Sequence, residues 1–275
     1  DRRDPSTPPP PIAFDTPRLR QARSLAGSLG IDGFSSLRRH QQAALRALLV
    51  PVPGASSPTH VVLTTGPGSG KETLAFVAML ERTLGQGRHV LVILPSEEDA
   101  RVAHERHRQR TDRSAWSYAV NDGRLATTWD GQVDDPPAEI LFASIDAVHE
   151  VLIPHAARWA EYLDALDLVI VPDLQRYGGL RGTDAAQVMR RLRAVTEVEG
   201  RRIQVLATGT PAENLDPFVR ALFSLGAEHD HVEIVGIDSS PQPDRVLAAW
   251  IPALERARGA ETTERRFMER QSEED

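Results

Sequence analysis

The chain has 275 residues, 40% of them hydrophobic, which is enough for one large α/β core. It contains no cysteine, which excludes disulfides, thiolate metal sites and cysteine nucleophiles within these residues. The formal net charge of −7 excludes a general electrostatic pull toward nucleic acid, so any such contact has to come from a local arginine surface. No apolar run approaches the roughly 18–20 residues of a membrane span, and no signal-peptide pattern opens the chain. A soluble, cytoplasmic protein without a membrane partner is the expectation. The start at Asp1 rather than methionine reads as a piece of a longer polypeptide.

Residues 1–18, with Pro5 and the Pro8–Pro11 run, read as an extended, disordered linker. A helical pattern runs from Leu19 to Gly30. After Gly33, a second helix is expected from Leu37 to Leu49, with Ser35 or Ser36 as its cap. This helix carries His40 and Gln41, about twenty residues before an apolar run, His60 to Leu63.

The stretch Thr64 to Thr73, TTGPGSGKET, follows that run and leads directly into a helical pattern. Strand, glycine-rich loop and helix in this order form a P-loop. Glycines let successive N–H groups point at a phosphate, the helix N-terminus adds partial positive charge, and the lysine reaches the outer phosphates. Lys71 is the only lysine in the chain. The full pattern G-x-x-x-x-G-K-[ST] is departed from twice, with Thr65 at the first glycine and Glu72 at the hydroxyl.

A helix follows over Glu72 to Leu84, its apolar stripe formed by Leu74, Phe76, Val77, Leu80 and Leu84, and Gly85 and Gly87 end it. His89 to Leu94 reads as a buried strand closed by Pro95, with a helix opening at Ser96. Residues 104–113 read as a charged helix face, with His104 and His107 solvated rather than metal-bound. Residues 114–138 are irregular. Further strands are expected at Glu139–Ala143, Leu166–Val171, Ile203–Ala207 and His231–Val235, with helices at Asp146–Leu152, Thr183–Val195 and Asn214–Leu225. His229-Asp230-His231 reads as a loop. Alternating apolar strands and helices imply an α/β, doubly wound parallel sheet with helices on both faces, and ligands sit at the carboxyl ends of such strands. Residues 254–275 read as a charged, mobile tail.

The order of the strand-end motifs resembles the first motor domain of superfamily 2 helicases, in particular bacterial DEAD/DEAH-box proteins of the YprA type. Leu37-x-x-His40-Gln41 resembles the adenine-reading element and TGPGSGK the family's TGTASGK loop. Ala143-Ser144-Ile145-Asp146 with His149 is similar to its T-T-P-D-x-x-H nucleic-acid motif. Tyr177, Gly179 and Gly182 fall at Y-R-G-x-x-G, Thr208-Gly209-Thr210 at S-A-T, and Asp238-Ser239-Ser240-Pro241 with Trp250 at the exit toward a second motor domain. The resemblance implies a RecA-like, P-loop ATP-binding domain over residues 19–253. Lys71, Asp173 and Gln175 become candidate catalytic residues. Gln41, Thr65, Gly66, Gly68, Ser69, Gly70, Lys71, Glu72 and Thr73 become candidate ATP contacts. Pro95, Ser144, Asp146, His149, Arg181 and Gly182 become candidate nucleic-acid contacts, toward DNA that is expected to be single-stranded.

The chain departs from the family where the metal is handled. The loop hydroxyl and the first Asp of DEAH hold Mg²⁺ in the family, and the Glu orients the attacking water. Here those positions are Glu72, Pro172 and Asp173, and the histidine is Gln175. A register shifted by one would give Asp173 to the metal and Leu174 to the base, losing a role either way. The motif after the second strand, P-T-K-A-L in the family, is Pro95-Ser96-Glu97-Glu98-Asp99, whose acids would weaken a phosphate contact. The expectation is a pseudoenzyme-like motor domain that binds ATP, doubtfully with Mg²⁺ and with no metal ligand set of its own, and hydrolyses it poorly. Two alternatives stand beside it. One is an active ATP-dependent helicase completed by a second motor domain. The other is a nucleotide-independent scaffold that contacts DNA or a protein through Arg176, Arg181, Arg190, Arg191 and Arg193.

Overall fold

The computed structural model describes residues 38–50, 52, 57–111, 120–121, 139–197 and 200–236. The linker, the helix 19–30, the serines at 35 and 36, the 122–138 stretch, the exit motif and the tail lie outside them, as does the side chain of Leu84.

The strands are β1 (His60–Thr64), β2 (His89–Leu94), β3 (Val120–Asn121), β4 (Ile140–Ser144), β5 (Leu166–Val171), β6 (Gln204–Gly209) and β7 (Val232–Gly236). They form one seven-stranded sheet in the order β3-β4-β2-β5-β6-β1-β7, and every pairing is parallel. The helices are α1 (Arg39–Leu49), α2 (Lys71–Gln86), α3 (Glu97–Thr111), α4 (Ile145–Ala147, continued by a π-helical turn over Val148–Leu152), α5 (Ala160–Ala165), α6 (Gly179–Thr196) and α7 (Leu215–Phe223).

Side chains alternate faces along a strand, so burial on both faces makes near-continuous apolar runs. Val61, Val90, Phe142 and Ile170 join a core with Leu45, Phe76, Leu80 and Ala100. Their strand neighbours Val62, Leu91, Ala143 and Val171 join the opposite core with Tyr162, Val188, Leu192 and Phe223. Helices α1 to α3 therefore cover one face and α4 to α7 the other. All strand carboxyl ends share one edge, which brings together the P-loop, Pro95, Ser144, Pro172 and Thr210.

Several local expectations need correction. α1 starts at Arg39 rather than Leu37, with Arg38 as its N-cap residue, whose N–H donates to the Gln41 side chain at 2.8 Å. α2 runs through Gly85 and stops at Gly87, which takes the left-handed φ of 62°. The expected helix Asp146–Leu152 is one α-turn followed by a π-turn, with the Ser144 hydroxyl accepting the Ala147 N–H at 3.0 Å. α6 begins four residues before Thr183, at Gly179. His107 is not solvated. It packs between Phe76 and Phe142, with ring centroids 5.1 and 5.4 Å away.

Candidate functional site

Strand β1 delivers the chain into the loop Thr65–Gly70 at the carboxyl edge. The Thr65 N–H donates to the Gly209 carbonyl at the end of β6, 3.0 Å away. Thr65, at the family's glycine position, is buried, and its hydroxyl lies 2.5 Å from that of Ser69. A side-chain bond thus braces the loop from inside. Gly68 and Gly70 take left-handed φ values of 69° and 83°, which favour residues lacking a β-carbon. Lys71 opens α2, and its ammonium donates to the carbonyls of Thr65 at 2.6 Å and Gly66 at 3.0 Å. The candidate residues from Thr65 to Thr73 therefore form one continuous turn into the first turn of α2.

Gln41 reaches this loop from α1. Its amide donates to the carbonyls of Ser69 (3.2 Å) and Gly70 (3.0 Å), while its oxygen takes the Arg38 N–H. The neighbouring His40 ring nitrogen lies 3.1 Å from the same Ser69 oxygen. Burial holds the His40 imidazole below its ordinary range, against the opposing pull of that carbonyl.

Beyond β5, Pro172 leads into Asp173, whose φ of 55° and ψ of 52° are left-handed, an uncommon state for a side-chain-bearing residue. Its carboxylate accepts the Gln175 amide at 3.2 Å, and the Gln175 oxygen accepts the Thr210 N–H at 3.3 Å. The β5 turn is thereby tied to the end of β6. Pro172 offers no side-chain donor atom. Glu72 meets α3, where its oxygen lies 3.1 Å from Arg106, with both side chains more than half exposed.

Two of the three acids after β2, Glu98 and Asp99, are paired in place. Asp99 accepts from Ser96, whose hydroxyl in turn takes the Asp99 N–H, and it lies 2.7 Å from Arg176 just past the β5 turn. The Arg176 bond holds the Asp99 carboxyl below the usual carboxylate range. Glu98 pairs with Arg101 at 2.6 Å. Sequence reasoning did not see either pairing with Arg106 or Arg176, because partners on different elements leave no spacing signal.

Of the candidate nucleic-acid residues, Pro95 and Ser144 are buried at strand ends, Asp146 and His149 are exposed on α4, and Arg181 is exposed on the first turn of α6. Arg191 donates to the His149 ring at 2.8 Å, which joins two of the expected contacts. Gly182 closes against the Tyr177 carbonyl, and the Tyr177 hydroxyl donates to the Ile93 carbonyl at 3.2 Å. The arginine surface is smaller than expected. Arg193 is only 7% exposed, held by Glu197 (2.9 Å), by the Phe223 and Ser224 carbonyls (3.1 and 2.5 Å) and near Asp230 (3.7 Å). Its charge is consumed inside the fold, so it cannot serve a surface. Asp230 is buried with it and lies 3.6 Å from His60. Among the described residues no cluster of three or more His, Asp or Glu side chains is arranged for a metal ion.

Sheet order, P-loop and the bonded β5 and β6 ends define a RecA-like P-loop domain. A family model described as DEAD/DEAH box helicase matches residues 38–218, and the chain belongs to that family. ATP-dependent helicase hrq1 of Schizosaccharomyces pombe is 22% identical over 204 residues, covering 70% of this chain and 18% of that protein. ATP-dependent helicase HRQ1 of Saccharomyces cerevisiae is 24% identical over 205 residues, covering 71% and 18%. The chain thus spans under a fifth of the length of these relatives. In fold, it superposes on the DUF1998 helicase MrfA bound to DNA with a TM-score of 0.62 at 17% identity, covering 82% of this chain and 30% of MrfA. No helix among the described residues is long and apolar enough to cross a membrane.

Proposed function

We propose that this chain is the nucleotide-binding first motor domain of a DNA helicase, one that holds ATP on its P-loop and hydrolyses it poorly. The observation that carries the reading is the fate of the metal-handling positions. Pro172 has no donor, Glu72 is engaged by Arg106, and Asp173 sits in a left-handed turn with its carboxylate bonded to Gln175.

ATP fits the residues present. The loop's two left-handed glycines bring backbone close to a phosphate, and the α2 N-terminus adds partial positive charge. Lys71 would exchange its loop carbonyls for phosphate oxygens, and Gln41 fixes the loop from behind. Mg²⁺ fits poorly, because it is ordinarily held by one or two protein oxygens beside phosphate and water, and here Pro172 has no side-chain donor while the carboxylates of Glu72 and Asp173 are engaged by Arg106 and Gln175. Asp173 is one methylene shorter than the family's Glu, and a shift of about 1 Å at a reacting centre can cost roughly 10²-fold in rate. Each change removes water activation or charge neutralisation while leaving the phosphate cradle intact.

DNA is the polymer this reading expects, single-stranded and met through Arg181, Arg190 and Arg191. A second motor domain would face the same sheet edge. The likeness in fold to MrfA, a helicase whose crystal structure holds DNA, supports the polymer. The test is equilibrium binding of a fluorescent ATP analogue with and without Mg²⁺, with Lys71→Ala as control. Binding lost in Lys71→Ala and indifferent to Mg²⁺ is the expected result. Binding strengthened about tenfold or more by Mg²⁺, about 1.4 kcal/mol, would overturn the impaired-hydrolysis reading in favour of an active motor.

A further inference from the structure

Glu72 presents a specific difficulty. It is the residue after the phosphate-binding lysine, in the first turn of α2, where a carboxylate directed at the loop would repel a triphosphate. The structure also contains the answer to that repulsion. Arg106 comes from α3 and meets the Glu72 carboxylate at 3.1 Å. Nearby arginines of α3 are used locally, Arg101 with Glu98 and Arg108 with Glu105, each three residues earlier. Arg106 instead crosses to another helix.

Its placement is set by a second ion pair on the same helix face. Asp99 and Arg106 are two turns apart and so project from one side of α3. Asp99 is bonded to Arg176 at 2.7 Å, immediately after the β5 turn. One face of α3 is therefore tied at its first turn to the β5 end and at its third turn to the P-loop helix.

We propose that Arg106 is a positioning residue of the nucleotide site, holding the Glu72 carboxylate on α3 and away from the phosphates so that the loop accepts a triphosphate. This rests on the nucleotide-binding reading above. Arg106 acts through Glu72, whose charge it offsets, and makes no phosphate contact of its own.

The test is a double-variant cycle on the whole chain, titrating a fluorescent ATP analogue in EDTA at low salt. Arg106→Ala is expected to weaken binding about fivefold, the factor that one unit charge exerts on another at about 4 Å in water. In the Glu72→Gln background the same substitution is expected to cost about twofold at most, because no carboxylate is left to release. The fivefold loss should also shrink as salt rises from about 0.05 to 0.5 M and the Debye length contracts. Both side chains are exposed, and matching thermal melts of the four proteins check that the fold is kept. An equal loss in both backgrounds would overturn the proposal and make Arg106 a direct phosphate contact. If the parent chain binds no ATP analogue, or binds it as well after Lys71→Ala, the nucleotide-binding reading fails and this inference falls with it.

Discussion

A β-carbon on Gly70 would lie 2.2 Å from the amide nitrogen of Gln41, closer than any two such atoms can sit. Gln41 comes from α1 and Gly70 is the last residue of the loop before α2, so the contact is the point at which α1 touches the phosphate loop. Gly70 also holds a φ of 83°. Gly70→Ala would therefore push the Gln41 amide off the Ser69 and Gly70 carbonyls and strain the backbone by about 1–2 kcal/mol. The expected outcome is a fall in Tm of about 2–4 °C per kcal/mol, together with at least roughly tenfold weaker ATP-analogue binding. Gly66→Ala, where a β-carbon meets nothing within 4 Å, is the matched control for stability. Equal melting of the two variants would contradict the role given to Gln41.

Gly182 makes a harsher case because its neighbour cannot move aside. A β-carbon there would meet the Tyr177 backbone oxygen at 2.1 Å. Tyr177 is buried and anchored by its hydroxyl to Ile93, and burial pushes that phenol well above its ordinary range. Gly182→Ala is expected to cost about 1–3 kcal/mol, as overpacking against fixed backbone does. Gly178→Ala, with open space and an ordinary φ of −85°, is expected to be near neutral. Urea midpoints of the two variants decide the matter, and similar midpoints would mean that α6 shifts freely against the turn before it.

The sheet was legible because its strands are buried on both faces. Leu166–Val171 and His89–Leu94 are apolar runs whose ends need no tertiary information, and the structure places them at those bounds. The P-loop was legible because phosphate chemistry needs those residue types in one local order. What was missed depends on partners distant in sequence. The start of α6 was hidden by Gly179 and Gly182, which look like helix breakers until the close approach to Tyr177 is known. Arg193 and His107 carried a local signal that was outweighed by their polarity. Arg193 falls on the stripe of Ala185, Met189, Leu192 and Thr196, and His107 on that of Ala100 and Ala103. Helical period placed both inward, and only the structure shows Asp230 and the Phe76–Phe142 pair that make this possible.

Arg193 and Arg190 lie on the same helix and should respond in opposite ways to substitution. Arg193→Met would leave Glu197 and Asp230, both largely buried, without their shared cation. Removing one member of a buried charge cluster costs about 3–5 kcal/mol. Arg190 is exposed and donates to the Gln187 side chain one turn earlier, so Arg190→Ala is expected to stay within about 0.5 kcal/mol. Chemical denaturation of both variants separates a buried brace from a surface charge. A loss of DNA binding in Arg193→Met without a loss of stability would restore Arg193 to the arginine surface.

His60 should give the fold a defined acid weakness. Its ring is buried at the start of β1, where Nδ1 accepts the Val205 N–H at 3.2 Å and Nε2 faces Asp230 at 3.6 Å. Burial lowers the imidazole to about 4, with the Asp230 carboxylate opposing that shift, Arg193 adding to it and Glu197 opposing it again. An unfolded histidine titrates near 6.5. Between these values the unfolded chain takes up a proton that the folded chain refuses, so the contribution is whole above about pH 6.5 and is lost as pH falls toward 4. The full drop is about 3 kcal/mol at most. Asp230 itself is held below the usual carboxylate range: burial alone would raise it, and the Gly226 N–H, Arg193 and His60 together outweigh that, so its own stabilising effect fails only at still lower pH. Urea unfolding from pH 7.5 to 4.5 should show midpoints that fall steadily below 6.5. Over pH 8 to 5.5 the His60 ring signals in an NMR titration should stay nearly fixed. A His60 signal that titrates near 6.5 in the folded chain would remove both the slope and its cause.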